Sequence, residues 1–589
     1  MHAQCQRLVL LLSVGALLLA GSAEAQTLYR VNIEHGVSVK MRDGVSLAAD
    51  IYRPVSDEDF PVLLERTPYD RNGEAAMANE LASHGYIVVL QDTRGRYASG
   101  GDFYPFRDES FDGYDTVEWA ARLDRSNGKV GMFGGSYVGA TQMLAAMAAP
   151  PHLISIFPYV TASEYYDGWT YQSGALMQWF TSSWTSGLAI DTLRRQAEKS
   201  QTPKDWTRQL PVESYPILKT PELSALAPYF KDWLAHERDD AYWRKWKVSD
   251  HYSEMSVLGL HAAGWHDLFL KGSIKNYVGL HEHAATPAAR AGQRLIIGPW
   301  AHAPTSSEGK VGDVVFGKSA VLDMTLTALK WFDYSLKGIN NEHGGAAPVR
   351  LFIMGDNIWR DEQEFPLKRT RYTKYFLHSA KGANSLNGDG SLSLSPPAVE
   401  RQDRFEYDPK NPVPTIGGRL CCGQALPPGP ADQRPNELRP DVLVFSTPAL
   451  AEDIEVTGYI SLELYAATSA VDTDFTALLV DVDASGYARF LTDGIVRARA
   501  RDEAAPVVPG KVYKYTIDLW ATANVFKAGH RIRLYVSSSN FPRFNLNLNT
   551  GEGIIGASRS VTAQQTIYHD RQYSSALILP VIAKRASGN

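Results

Sequence analysis

The feature of this sequence that most restricts its fold is a series of short apolar runs separated by segments with helical periodicity. Five such runs occur, at Val62–Leu64, Ile87–Leu90, Val130–Phe133, Val257–Ala263 and Leu295–Ile297. Runs of this kind, rich in Val, Ile and Leu, are typical of strands that are buried on both faces. Helices between them, one of which is predicted over Tyr114–Leu123, favour a largely parallel sheet covered on both sides. The core is therefore predicted to be an α/β fold.

The rest of the chain differs from this core. Val31–Pro54 alternates between apolar and polar residues around the turn signal Asp43-Gly44, which predicts a β-hairpin. Between about Thr161 and Asp250 no strand pattern is clear and seven of the 13 Trp occur, which predicts a helical insertion over the carboxyl edge of the sheet. After about residue 367, strand-like runs and Gly-containing turns predict a β-sandwich. A chain of 589 residues is long enough for these separate domains.

The first 25 residues have the composition of a secretory signal peptide. Arg7 supplies a positive charge, Leu8–Ala20 are apolar but too few to span a bilayer comfortably, and Ala23-Glu24-Ala25 is a small-residue cleavage site. An uncleaved membrane anchor is the alternative interpretation. We expect a mature chain that begins near Gln26, has no membrane span and is secreted or periplasmic.

Charge and cysteine content exclude several kinds of partner and site. A formal net charge of -6 provides no basic surface for nucleic acid or anionic lipid. Once the signal peptide is removed, only the adjacent Cys421 and Cys422 remain, so a framework of long-range disulfides is excluded. The pair forms either a vicinal disulfide or two thiols in a Gly/Pro-rich loop, and without a nearby His it does not make a zinc site.

The most specific local signal is the segment Gly131–Gly139, which reads GMFGGSYVG and precedes a helical pattern over Ala140–Ala148. A strand, a tight turn and a helix around Gly-x-Ser are the context of a nucleophile elbow, with Ser136 as the nucleophile. Val138 stands where the second Gly of that motif is usual. An ordinary Gly-rich turn between a strand and a helix is the alternative interpretation.

An elbow of this kind needs an acid and then a His further along the chain, both at strand ends. Asp267 follows the apolar run that ends near Ala263, and His302 follows the run at Leu295–Ile297. His302 would accept the proton of Ser136, and Asp267 would hold the imidazole tautomer. His266 is a rival base, but as the neighbour of Asp267 it points to the other side and is predicted to be structural.

Beyond the elbow, a set of motifs resembles the cocaine esterase and X-prolyl dipeptidyl-peptidase superfamily of α/β-hydrolases, the CocE/NonD-type hydrolases. The motifs are Arg66–Asp70 (RTPYD), Asp92–Arg96 (DTRGR), Gly264–Asp267 (GWHD), Gly298–His302 (GPWAH), Ala470–Ala477 (AVDTDFTA) and Val536–Pro542 (VSSSNFP). They are spread over essentially the whole mature chain, which one shared elbow could not achieve.

The resemblance implies an α/β-hydrolase core with a helical cap insertion, followed by an all-β jelly-roll domain. With it, we predict a signal peptide over 1–25, the core over 26–160 and 251–366, the insertion over 161–250 and the jelly-roll over 367–589. It also implies Ser136, Asp267 and His302 as the catalytic triad. The oxyanion hole would be the Tyr137 backbone N–H and the Tyr69 hydroxyl. Trp169, Trp184 and Phe269 match aromatic positions around the acyl pocket, with packing in the core as the alternative.

These observations predict an exported serine hydrolase of small-molecule esters or amides, a carboxylesterase or acylase. The rivals are a dipeptidyl-peptidase or α-amino-acid ester hydrolase, which would need carboxylates such as Glu164 or Asp167 to capture a free amine, and a non-catalytic glycan- or partner-binding protein. The sequence lacks the large N-terminal helical domain of the X-prolyl dipeptidyl-peptidases. The proposed chemistry requires no cofactor and no metal, and Asp481–Gly486 resembles a calcium loop only at its start, so a hairpin turn is predicted there.

Overall fold

A computed structural model of the protein describes residues 28–195, 211–214, 221–302, 306–423, 425–500 and 506–583. The predicted signal peptide over 1–25 lies outside the described residues. The chain forms an N-terminal α/β domain and a C-terminal antiparallel β domain, so the predicted fold class is confirmed.

The N-terminal domain is built on one large mixed sheet. Its half of the chain contains fourteen described strands: β1 (Val31–Lys40), β2 (Ser46–Pro54), β3 (Phe60–Thr67), β4 (Ile87–Asp92), β5 (Ser126–Gly135), β6 (Leu153–Tyr159), β7 (Tyr171–Gln172), β8 (Ala175–Leu176), β9 (Leu258–His266), β10 (Gln293–Ala301), β11 (Lys310–Val311), β12 (Val314–Val315), β13 (Val349–Ile353) and β14 (Ile358–Glu362). Ten of them form the sheet, in the order β1-β2-β4-β3-β5-β6-β9-β10-β13-β14. From β4 to β13 neighbouring strands are parallel, and antiparallel strands close both edges. Each of the five apolar runs and the predicted N-terminal hairpin lies in these strands.

Helices cover both faces of this sheet, as a parallel sheet requires. In chain order the described helices of this half are α1 (Ala75–Ser83), α2 (Glu109–Ala120), α3 (Tyr137–Met147), α4 (Gln178–Arg195), α5 (Pro221–Leu226), α6 (Pro228–Ala235), α7 (Ala241–Arg244), α8 (Leu270–His283), α9 (Pro287–Ala291), α10 (Met324–Ser335) and α11 (Glu342–Gly345). Helices α1 and α10 pack on the face that carries Leu63 and Phe133, and α2 and α3 pack on the face that carries Val62 and Leu64. The helix predicted over Tyr114–Leu123 is α2 and begins five residues earlier.

The insertion between β6 and β9 is mainly helical and contains α4 to α7. It also contains the short hairpin β7–β8, which the sequence pattern does not predict because each strand is only two residues long. Most of its Trp side chains are buried among other aromatic rings, as in the contact between Trp169 and Trp184. Among the described residues, no helix combines the length and apolar character needed to cross a bilayer.

The C-terminal domain consists of eleven described strands, a one-turn helix and a short 3-10 turn at Ala498–Ala500. The strands are β15 (Thr370–His378), β16 (Ser391–Ser393), β17 (Asp403–Tyr407), β18 (Leu443–Ser446), β19 (Ile454–Thr468), β20 (Asp474–Val482), β21 (Ala488–Arg497), β22 (Tyr513–Phe526), β23 (Arg531–Ser537), β24 (Ala563–Tyr568) and β25 (Ala576–Ile582), and the one-turn helix is α12 (Arg434–Glu437). All their pairings are antiparallel except the single one between β16 and β18. Strands β20 and β21 form a hairpin across Asp481–Gly486, as predicted.

The two domains contact each other beside the insertion. The Leu176 N–H donates to Asn545 Oδ1 at 2.9 Å, and the Trp179 N–H donates to the Pro542 carbonyl at 3.0 Å. Cys421, on a loop of the C-terminal domain, packs in the same core as Leu176 and is bonded to Cys422 in a vicinal disulfide. Of the two alternatives for this pair, the structure therefore has the disulfide.

Candidate active site

The turn between β5 and α3 holds Ser136 in a conformation that few residues adopt. Its backbone has φ 58° and ψ -125°, in the region where L-residues are strained. The turn is also crowded, because a Cβ added to Gly135 would lie 2.1 Å from the Tyr159 ring. The Ser136 N–H donates to the Tyr159 carbonyl at 2.9 Å, which ties the turn to β6. Ser136 therefore projects from a fixed strand-to-helix elbow at the carboxyl edge of the sheet.

The structure brings Ser136, His302 and Asp267 together from three neighbouring parts of the sheet. His302 Nε2 lies 2.9 Å from Ser136 Oγ, and His302 Nδ1 lies 2.6 Å from Asp267 Oδ2. Asp267 is fully buried, whereas His302 is slightly exposed on the side of Ser136. A buried carboxylate on Nδ1 keeps a proton on that nitrogen and leaves Nε2 free to accept one from the serine hydroxyl.

Asp267 is held by the loop that follows β9. Its Oδ1 accepts the backbone N–H of Phe269 at 2.6 Å, and its own N–H donates to the Gly264 carbonyl at 3.0 Å. The neighbouring His266 points away from Ser136 and lies near the rings of Phe316 and Phe490. Burial, together with nearby arginine charges, lowers the pKa of His266 to about 3. His266 is therefore a neutral packing residue.

Two candidate donors face the reacting centre. Tyr137 is the first residue of α3, so its N–H is among the helix N–H groups that have no acceptor within the helix. The Tyr69 hydroxyl accepts a hydrogen bond from Trp184 Nε1 at 2.8 Å, and the residue is 39% exposed and lines the cavity beside Ser136. Desolvation raises the pKa of Tyr69 to about 12, although hydrogen bonds with Trp184 and Ser136 lower the pKa by a smaller amount. Tyr69 is therefore a protonated donor at neutral pH.

The motifs around Tyr69 hold its loop in place. Arg96 is buried and donates from Nε to the Pro68 carbonyl at 2.7 Å, and its Nη2 pairs with Asp191 of α4 at 2.8 Å. Asp92, at the end of β4, accepts the backbone N–H of Arg71 at 3.0 Å. These contacts fix the chain on both sides of Tyr69.

The three predicted aromatic residues cluster beside the triad. Trp169 stacks on Phe269 with ring centroids 4.4 Å apart, and Phe269 meets the His302 ring edge-on at 5.2 Å. Trp184 contacts Trp169 edge-on at 5.9 Å. All three side chains are buried, so their role in substrate binding stays a prediction.

A cavity of about 540 Å³ opens at the triad. It is lined by Glu65, Thr67, Tyr69, Asp70, Gly73, Glu74, Gly134, Gly135, Ser136, Val138, Tyr159, Val160, Ala262, Trp300, Ala301, His302, Val321, Leu322 and Met324. Ser136, His302 and Tyr69 are in this lining, whereas Trp169, Trp184 and Phe269 are not. Besides residues at the strand ends, its lining includes Val138 of α3, Met324 of α10 and Glu74, which directly precedes α1.

Comparison with known proteins places the whole chain in one family. Residues 43–304 match the family model of X-Pro dipeptidyl-peptidase (S15 family), and residues 341–578 match that of the X-Pro dipeptidyl-peptidase C-terminal non-catalytic domain. The chain is 37% identical over 580 residues to the cocaine esterase of Rhodococcus sp. (strain MB1 Bresler), covering 94% of this chain and 99% of that protein. The chain belongs to the CocE/NonD family of serine hydrolases. The resemblance stated from the motifs is thus confirmed.

Solved structures agree with this family at the level of the fold. An aminopeptidase from a marine sediment Thaumarchaeota archaeon has a TM-score of 0.81 at 24% identity, covering 94% of this chain and 97% of that chain. An α-amino acid ester hydrolase has a TM-score of 0.77 at 24% identity, covering 96% of this chain and 100% of that chain. Both likenesses extend across the two domains of this CocE/NonD hydrolase.

Sequence reasoning missed two acidic residues of the cavity, Glu65 and Glu74. Glu65 lies on β3 directly after the apolar run Val62–Leu64 and is only 4% exposed. Glu74 ends the helical turn Arg71–Glu74 and stands at the N-cap position of α1, where its side chain makes no capping hydrogen bond. The position of Glu65 could have identified it from the sequence. A charged side chain within a central parallel strand is buried on both faces of the sheet, and such burial is costly unless a partner or a cavity meets the charge.

Glu164 and Asp167, the carboxylates considered for capturing a substrate amine, lie elsewhere. Asp167 is paired with Lys271 at 2.7 Å, and Glu164 is paired with Lys275. Both line a separate cavity, whose walls come from the insertion and from Arg497 and Arg499 of the C-terminal domain. Their charges are therefore already matched by lysines, and they do not line the cavity at Ser136.

Proposed function

We propose that this CocE/NonD serine hydrolase is an exported carboxylesterase or acylase that acts through an acyl-enzyme on Ser136. The observation that carries the proposal is the continuous chain of short contacts from Asp267 through His302 to Ser136, opening into a cavity large enough for a small organic substrate. That arrangement is the one required for nucleophilic acyl transfer.

In the acylation step, Ser136 Oγ attacks the substrate carbonyl while its proton passes to His302 Nε2. The carbonyl oxygen becomes an oxyanion between the Tyr137 N–H and the Tyr69 hydroxyl, whose hydrogen bonds strengthen as the charge develops. The imidazolium is stabilised by Asp267. Collapse of the tetrahedral intermediate breaks the bond to the leaving group, which takes the proton from His302.

In the deacylation step, water enters the position of the departed alcohol or amine. His302 Nε2 takes a proton from this water, the resulting hydroxide adds to the acyl carbonyl, and the same two donors hold the second oxyanion. Departure of Ser136 Oγ with the proton from His302 releases the acid and restores the free enzyme.

Small-molecule esters are the favoured substrates. The relative with 37% identity is a cocaine esterase, and the cavity walls are largely aromatic and aliphatic side chains such as Tyr159, Trp300 and Met324. A dipeptidyl-peptidase or α-amino-acid ester hydrolase with the same triad is the alternative. Glu164 and Asp167 do not support this alternative, because each already pairs with a lysine and is not available to bind a substrate amine.

Export is part of the proposal. It is supported by the order of features within residues 1–25, where a positive charge is followed by an apolar stretch and then by a small-residue cleavage site. The expected result is that a full-length chain is recovered outside the cytoplasm with its N-terminus near Gln26. Fractionation of cells that express the chain with and without residues 1–25, followed by N-terminal sequencing, tests this. Recovery of both forms in the cytoplasm would remove export from the proposal.

The catalytic proposal is tested with a panel of p-nitrophenyl esters and aminoacyl p-nitroanilides. Ser136→Ala should abolish turnover of whichever substrates the wild type cleaves, and the panel ranks esters against anilides. Ser155→Ala is the matched control, because Ser155 is a buried serine of β6 whose hydroxyl has no hydrogen-bond partner among the described residues. Equal turnover by Ser136→Ala and the wild type would overturn the mechanism, and preference for free α-amino anilides would favour the peptidase.

A further inference from the structure

Glu65 is a buried acid in the wall of the catalytic cavity. It lies near the carboxyl end of β3, a strand whose every residue is buried, and only 4% of its surface is exposed. That small exposed part faces the cavity, because Glu65 is one of the cavity's lining residues. A carboxylate in this position is costly unless a partner satisfies it.

No group in the described part of the chain supplies such a partner. The other buried acids near the site are all matched: Asp92 accepts from Arg71, Glu109 is paired with Arg66 at 2.7 Å, and Asp267 bonds His302. The Glu65 carboxyl, in contrast, makes neither a hydrogen bond nor an ion pair with any described side chain. A group that pairs with it would therefore have to come from the cavity.

The composition of the cavity indicates the charge of that group. Its lining contains the three acids Glu65, Asp70 and Glu74 and, among the described residues, neither Lys nor Arg. Tyr159 and Trp300 add aromatic surface, and aromatic faces attract organic cations. Aliphatic walls at Val321, Leu322 and Met324 suit the carbon skeleton of an organic cation better than a hydrated metal ion.

We propose that this cavity selects substrates that carry a cationic nitrogen, a protonated amine or a quaternary ammonium group, which Glu65 binds with Glu74 at the cavity wall. The inference rests on the proposed function, since it assigns a substrate class to the same catalytic site. It uses residues on β3 and the turn before α1, not the carboxylates of the insertion.

Strand register gives the separation between this subsite and the nucleophile. Leu64 pairs with Met132 across β3 and β5, so Glu65 lies opposite Phe133, three residues before Ser136. Three residues at about 3.3 Å each along the strand, combined with about 4.8 Å between the strands, put the Glu65 and Ser136 backbone positions roughly 11 Å apart. An extended chain of five methylenes between the carbonyl and the nitrogen spans most of that distance.

The electrostatics of Glu65 agree with this assignment. Burial, and secondarily the charge of Glu74, raise the pKa of the Glu65 carboxyl well above its usual range. A bound cation favours the ionised form and so reverses this effect. Binding of a permanent cation is therefore expected to release protons into solution.

The experiment compares charged substrates with their uncharged carbon isosteres. One pair is the p-nitrophenyl esters of 6-(trimethylammonio)hexanoic acid and 7,7-dimethyloctanoic acid, which places the cation in the acyl group. The other is the butyrate esters of choline and 3,3-dimethylbutanol, which places it in the alcohol. The measured quantity is the ratio of kcat/KM for the cationic ester to that for its isostere, in the wild type, Glu65→Gln and Glu65→Gln/Glu74→Gln.

We expect the wild type to prefer the cationic member of at least one pair, and Glu65→Gln to lower that ratio roughly tenfold or more. Glu80→Gln is the matched control, because it removes an exposed carboxylate of α1 that does not line the cavity. An unchanged ratio in Glu65→Gln and in the double variant would overturn the inference, as would a wild-type preference for the neutral member of both pairs.

A second measurement separates this inference from the catalytic proposal. If the wild type cleaves no ester, the proposed function fails, and the subsite is then tested by calorimetric titration of hexyltrimethylammonium into Ser136→Ala and Ser136→Ala/Glu65→Gln. Saturable binding with proton release that weakens when Glu65 is replaced supports the subsite. Equal binding by both proteins, or none, overturns it.

Discussion

Replacement of Tyr69 by Phe removes one oxygen atom from the catalytic cavity and leaves the ring in place. In the structure the Trp184 Nε1–H donates to the Tyr69 hydroxyl oxygen at 2.8 Å. With this oxygen already accepting, the hydroxyl's own hydrogen is left to point toward the reacting centre. Because the pKa of Tyr69 is raised to about 12 by desolvation, the hydroxyl stays a donor at neutral pH.

The size of the effect follows from this role. One oxyanion donor contributes about 2.7–4 kcal/mol to the transition state, which corresponds to roughly a 100- to 1000-fold loss of kcat. The ground-state carbonyl is held much less tightly than the oxyanion, so KM should change little. Trp184→Phe removes the N–H that orients the hydroxyl together with part of a buried ring, and it should lower kcat by a smaller factor.

The assay is steady-state hydrolysis of p-nitrophenyl butyrate, with kcat and KM determined separately. Tyr29→Phe is the control, because the Tyr29 hydroxyl bonds Glu58 at 2.9 Å, remote from the cavity lining. A kcat for Tyr69→Phe within a few fold of the wild type would refute the assignment of Tyr69 to the oxyanion hole. So would an effect confined to KM.

Three further predictions concern packing and charge. Gly135→Ala places a Cβ 2.1 Å from the Tyr159 ring, which should lower the free energy of unfolding by about 1–3 kcal/mol in thermal denaturation. The same clash should shift Ser136 and so lower kcat as well. The pKa of the Glu65 carboxyl is raised in the folded protein. The free energy of unfolding of the wild type therefore falls as the pH rises from the pKa of this carboxyl in the unfolded chain toward its pKa in the folded protein. Glu65→Gln lacks this titration, so chemical denaturation from pH 5 to pH 8 should show the variant gaining stability relative to the wild type. Arg497→Met leaves Asp474 without two contacts of 2.9 Å and should lower the free energy of unfolding by about 3–5 kcal/mol in guanidinium titrations. An unchanged thermal midpoint for Gly135→Ala would contradict the first prediction. A stability difference between Glu65→Gln and the wild type that does not change with pH would contradict the second, and an unchanged denaturation midpoint for Arg497→Met would contradict the third.

The fold and the relative position of Ser136, Asp267 and His302 were predictable because they depend on local pattern and chain order. Each residue follows a strand, and parallel strands end at one edge of the sheet. A strand carries its own signal in four to eight residues, so the hairpin and the five core strands could be placed without knowledge of their partners. The hairpin β7–β8 could not, because a two-residue strand has no periodicity to detect.

The cavity itself was not predictable, because its walls come from distant parts of the chain. Glu65 on β3 shares a cavity with Val321 and Met324 only after the five sheet strands that intervene along the chain have been ordered. The sequence shows that an acidic residue is present at a position. It does not show whether the folded chain places a lysine or an open cavity next to that residue. The same limit explains Glu164 and Asp167, whose lysine partners on α8 lie more than a hundred residues further along the chain.

The most direct test of the central claim is to trap the acyl-enzyme. The protein is mixed with p-nitrophenyl butyrate, quenched in acid within the first turnover, digested and analysed by mass spectrometry. The account predicts a butyryl group on the peptide that contains Ser136, lost on longer incubation in water and absent from Ser136→Ala. A butyryl group on another residue, or ester turnover with no acylated Ser136 at any time, would contradict it.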